Sequence, residues 1–159
     1  MQLEFRETLG ERINKHSREW LKEFKLQAEM GDVDGMIWYA KLLFKGNKRR
    51  PPDAPHAIYW LRKAARTNHE AAFRVAKIFL KGKYVKSDPE KAYLYFRIAS
   101  LSRCKCGKYS EELHSKRISN VHSCIHNESL EAIKSMKLSD ADISRYEVKF
   151  ISWKNDNLK

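Results

Sequence analysis

Three features of this 159-residue sequence predict an all-α fold, a short α-solenoid of antiparallel helix pairs. Apolar residues recur three or four positions apart, as on amphipathic helices. Two stretches of the chain repeat about 36 residues apart. Glycine and Asp-Pro fall where such helices would stop and start. About two full repeats are expected, with capping helices before and after them.

The repeat is read by laying "YAKLLFKG" (39 to 46) on "VAKIFLKG" (75 to 82). Ala40 then meets Ala76, Lys41 meets Lys77 and Gly46 meets Gly82, all at an offset of 36. Further on, "DAPHAIYWLRKAA" meets "DPEKAYLYFRIAS" at an offset of 35, pairing Asp53 with Asp88 and Ala57 with Ala92. The change of offset is one extra residue in the "GNKRRPPD" loop relative to "GKYVKSD". Each copy reads as two helices. Gly46 and Gly82 end the first, because glycine adopts the left-handed conformation that closes a helix. Asp88 caps the second, Pro89 suits its first position and Glu90 suits the positive end of its dipole. Asp53 reads as the equivalent cap. Ala57, Trp60, Leu61 and Ala64 form one buried stripe, as do Ala92, Tyr95, Phe96 and Ala99. A helix pair repeated at this spacing is a solenoid unit, stabilised by stacking on its neighbours.

These residues resemble the Sel-1-like repeat, a relative of the tetratricopeptide repeat. "GKYVKSDPEKAYLYFRIA" carries the pattern in copy two. "AEMGDVDGMIWYAKLLFKG" with "DAPHAIYWLRKAA" carries it in copy one. The resemblance covers about residues 24 to 101 and implies a right-handed array. It departs from the family in two places. Asn68, which tolerates left-handed geometry, stands at the glycine of the turn entering copy two, and "NKRRPP" lacks the family's glycine–valine pair. The expected layout is a single domain over 1–159. Leading helices occupy 1–30, repeats run over about 24–66 and 65–101, and a capping region covers 102–159. "REWLKEFKLQAEMGD" (18 to 32) reads as the second helix of an incomplete leading unit. Ser139 reads as the N-cap of a closing amphipathic helix.

Composition bounds the function. Apolar residues at 42% and aromatics at 11% indicate a globular chain. No apolar run reaches the roughly 18 residues of a membrane span. The mixed-charge amino terminus lacks a signal core, and three cysteines do not make a disulfide framework. A cytoplasmic setting is the expectation. Net charge is +12, and +11 of it lies between Lys41 and Lys86, where thirteen Lys and Arg face only Asp53 and Glu70. Such a field attracts acidic proteins or nucleic acid.

No phosphate loop, His-Glu-x-x-His or nucleophile elbow is present, so no catalytic residue, cofactor or enzyme activity is predicted. Cys104, Cys106, His114, His122, Cys124 and His126 could in principle ligate zinc, but "CKC" and "HSCIH" are tighter than a Cys-x-x-Cys knuckle. The sequence therefore assigns no metal site. His56 and His69 are lone histidines near helix starts and read as structural.

Trp38, Lys41 and Lys45 lie opposite the expected core face of the first helix in copy one. Arg74, Lys77 and Lys81 are their equivalents in copy two. The resemblance implies that first helices line a concave surface, which would set these six residues side by side. A Trp among cations has the composition of a protein-binding hot spot. The favoured expectation is a non-enzymatic interaction module that binds an acidic protein, such as a toxin or effector met by an inhibitor or immunity-type protein. One alternative is nucleic-acid binding through 41–86, with Trp38 or Tyr84 stacking on bases. Another is zinc binding through the Cys/His cluster. A monomer or a weak dimer is expected.

Overall fold

The computed structural model describes residues 9–47, 50–102 and 124–157. Among them are seven helices: α1 (Leu9–Glu29), α2 (Val33–Lys45), α3 (Ala54–Ala64), α4 (His69–Lys81), α5 (Pro89–Ala99), α6 (Ile125–Ser135) and α7 (Asp140–Asn157). No strand occurs among the described residues; a lone β-bridge joins Asn47 and Arg50. The fold is the all-α helical repeat that the periodicity predicts. Two compact units divide it, residues 1–60 and 61–159, with the boundary inside α3.

In the first unit α1 packs on α2. The Asp32 side chain caps α2 by accepting the Gly35 N–H at 2.6 Å. At Gly35 the two helices leave no room for a side chain, for a Cβ placed there would lie 2.6 Å from the Gln27 Cβ. α2 buries Met36, Ile37, Tyr39, Ala40 and Leu43, while Leu42 is half-buried. Tyr39 meets Trp60 edge-on, with ring centroids 5.8 Å apart. Gly46 ends α2 at φ 61° and ψ −168°, a positive φ but not the left-handed helical conformation expected of it, and its N–H bonds the Leu42 carbonyl. The chain then returns so that the Asp53 N–H donates to the Leu43 carbonyl at 2.9 Å. Asp53 goes on to cap α3, its carboxylate accepting the His56 N–H at 3.3 Å.

The second unit repeats this logic. α4 buries Ala71, Ala72, Val75, Ala76 and Phe79. Gly82 closes it in the left-handed region, and the Asp88 N–H donates to the Phe79 carbonyl at 3.0 Å. Asp88 caps α5 by accepting the Lys91 N–H, and Pro89 occupies the first turn. Asn68 corrects the sequence reading. It sits in extended backbone, φ −116° and ψ 115°, and its side chain caps α4 by accepting the Ala71 N–H. An extended asparagine can offer its side-chain oxygen to the first free amides, and a left-handed one cannot.

α5 is the most enclosed helix of the second unit, packing on α4, α6 and α7. Phe96 is fully buried and meets Phe73 edge-on at 5.7 Å. Both neighbours of α5's last turn satisfy its carbonyls through imidazoles: His69 reaches Ile98 at 3.1 Å, and His126 reaches Ser100 at 2.5 Å. The Ile98 carbonyl also accepts the Leu101 N–H at 3.1 Å, so His69 adds a second donor there. His126 serves a carbonyl past the helix end, where intrahelical donors run out.

α7 packs against α5 in this unit. The Ser139 hydroxyl accepts the Asp142 N–H at 3.2 Å, as an N-cap should. Tyr146 and Phe150 are buried on its inner face. Tyr93 donates to Glu147 at 2.5 Å, Arg97 lies 2.6 Å from the same carboxylate, and Lys149 pairs with Glu90. Burial, and then the hydrogen bond and charge of Glu147, push the Tyr93 hydroxyl up to about 12. Between about pH 10 and 12 the folded state therefore keeps a proton that the unfolded chain has released, so stability falls as pH rises through that window. Phenolate absorbance should show one of the seven tyrosines titrating last, and Glu147→Gln should bring that step to lower pH.

Candidate partner-binding surface

In the first unit Trp38, Lys41 and Lys45 share one face of α2 because residues three and seven apart align on a helix. Trp38 remains 49% exposed although its ring stacks on Phe24 of α1, with centroids 5.9 Å apart and planes at 18°. Lys41 Nζ sits 3.9 Å from the indole centroid. An exposed cation–π contact of this kind contributes about 0.5–1 kcal/mol. It also fixes a positive charge on an apolar platform. Lys45 is exposed in the last turn, where a cation suits the negative end of the helix dipole.

In the second unit Arg74, Lys77 and Lys81 share the corresponding face of α4. Arg74 is half-buried and tied to Glu70 one turn back by an ion pair, so much of its charge is locally answered. Lys77 is exposed, with its Nζ 5.1 Å from the Phe73 centroid. Lys81 is exposed at the end of the helix. The two trios are thus alike in position and in one further respect, a lysine laid over an aromatic ring of its own helix. Glu70 and Phe73 went unread as companions of these cations, although their four-residue spacing to Arg74 and Lys77 announces them. Phe24 has no such signal, since it reaches Trp38 from another helix.

The other candidates separate. His56 Nδ1 lies 2.6 Å from the Asp53 carboxylate, and that hydrogen bond is the main reason the carboxyl is held below its usual range. Tyr84 is exposed, with Lys83 Nζ 5.1 Å from its ring. Cys104, Cys106, His114 and His122 lie outside the described residues. Cys124 is a free, half-buried thiol ahead of α6, and His126 is engaged with Ser100. Among the described residues no three His, Cys, Asp or Glu side chains gather as metal ligands would.

A family model described as Sel1 repeat matches residues 33–69 and again residues 69–102. The chain carries two Sel1 repeats. The first comprises α2 and α3, the second α4 and α5, and they meet at His69, the first residue of α4. The candidate residues therefore occupy the first helix of each Sel1 repeat. Sel1 repeats generally mediate protein–protein interaction and are typically non-enzymatic. A comparison with curated proteins finds no match to the chain. No helix among the described residues is long and apolar enough to cross a membrane.

Proposed function

We propose that this chain is a non-enzymatic interaction module that binds an acidic protein surface through the exposed faces of α2 and α4. The observation that carries this reading is Trp38 with Lys41 on its ring, a half-exposed aromatic anchor dressed in positive charge. Aromatic residues bring contact area at low entropic cost, and cations steer and orient an acidic partner. Lys45, Lys77 and Lys81 extend the same chemistry, and Arg74 joins it where a partner carboxylate displaces Glu70. An inhibitor or immunity-type protein that neutralises an acidic toxin or effector is one concrete form of such a module.

The test is capture of partners by tagged protein from nuclease-treated native lysate, followed by titration of the purified complex. An acidic protein at near-equal amount is expected. Lys41→Glu with Lys77→Glu should weaken the complex about tenfold or more, which corresponds to roughly 1.4 kcal/mol. The wild-type affinity should fall as salt rises. Recovery of nucleic acid and its binders only when nuclease is omitted would overturn the reading and favour a phosphate-binding surface.

A further inference from the structure

The outer face of α7 carries Ala141, Ser144, Val148, Ile151 and Asn155, spaced alternately by three and four residues. All five are exposed, Val148 at 67% and Ile151 at 53%, because Tyr146 and Phe150 turn the opposite face inward. This is the spacing of a two-helix seam, in which a and d positions of a heptad meet a second helix. A third of the chain's residues are charged, yet the stripe has no charge at all. A helix face in contact with water is normally polar or charged. Here the centre of that face is two β-branched aliphatic side chains.

We propose that α7 is a homodimer seam, paired antiparallel with α7 of a second copy. On one edge of the stripe the flanking charges favour that occupant, and on the other Arg145, which would meet its counterpart, is already paired with Asp142 of its own chain. Asp140, Glu147 and Lys154 run along the first edge at seven-residue intervals. In antiparallel register Asp140 of one copy faces Lys154 of the other, and the two-fold axis makes that pair twice. Both residues are exposed, and neither has an ion pair among the described residues. The same register sets Val148 against Ser144 and Ile151 against Ala141, large against small in every layer, which lets the helices approach closely. Glu147 meets its own counterpart near the axis, but Arg97 and Tyr93 of its own chain already engage that carboxylate. A parallel pairing would instead place Asp140 beside Asp140 and Lys154 beside Lys154.

Four short layers make a small interface, of the size class where weak and transient encounters fall. Sedimentation equilibrium of the full chain from about 10 µM to 1 mM reads it, at low salt where the charge pairs count most. The average mass should climb toward the dimer over that range. Val148→Glu, at an exposed position that leaves the fold intact by circular dichroism, should stay monomeric throughout. Asp140→Lys and Lys154→Asp should each weaken the dimer roughly tenfold, and combining them should restore it. A wild-type chain monomeric at 1 mM overturns the proposal. So does a dimer indifferent to Val148→Glu, or a double charge swap that fails to rescue. A monomer in which Val148→Glu abolishes capture of a different protein overturns it as well.

Discussion

Phe96→Ala is expected to destabilise the second unit by about 3–5 kcal/mol, the usual cost of emptying a buried aromatic site. Phe96 has no solvent exposure and stands at the middle of α5, the helix on which α4, α6 and α7 all pack. Its ring meets Phe73 edge-on, so truncation removes that contact as well as the buried area. Helices on three sides are tethered by their own hydrogen bonds and ion pairs and cannot all move inward to fill the space. Thermal unfolding should shift down by about 10 °C or more for a chain of this length. A shift of a degree or two would mean that the site collapses freely and that α5 is not the centre of this unit.

Gly35→Ala is expected to destabilise the first unit by about 1–3 kcal/mol, the range for overpacking a tight contact. On an exposed helix the same change would stabilise by about 1 kcal/mol through propensity. The sign reverses here because the new methyl would lie 2.6 Å from the Gln27 Cβ and 3.1 Å from the Ala28 N. Neither is the far end of a flexible side chain, so α1 must move away from α2. Hydrogen exchange should show protection lost across these two helices. A more stable variant would show that α1 and α2 are not held at this distance. At the corresponding position of the second repeat stands Ala71, fully buried, where the neighbouring packing accommodates the methyl.

Much of this architecture was legible because helix boundaries are local chemistry. Asp53, Asp88 and Ser139 cap helices where their sequence neighbours say they should. Asn68 misled because asparagine serves a helix junction in two ways, as a left-handed turn residue or as a cap, and composition does not choose between them. The 36-residue offset does choose, since it pairs Asn68 with Asp32, which caps α2. α6 left little trace: its N-cap position is Cys124, which makes no side-chain capping bond, and Ser129 occupies its buried centre. The candidate surface was legible in its cations, which follow helical spacing. It was not legible in its platform, because Phe24 reaches Trp38 only through tertiary packing.

Asp53 and Asp88 each work in both directions along the chain. The backbone N–H holds the helix behind, through Leu43 or Phe79, and the side chain starts the helix ahead. Neither helix of a pair therefore measures the length of the loop between them. The first loop can be one residue longer than the second while both pairs keep the same clasp. Insertions should accumulate in these loops during divergence, and a reporter sequence or a protease site placed between Lys83 and Lys86 would leave the helix register undisturbed.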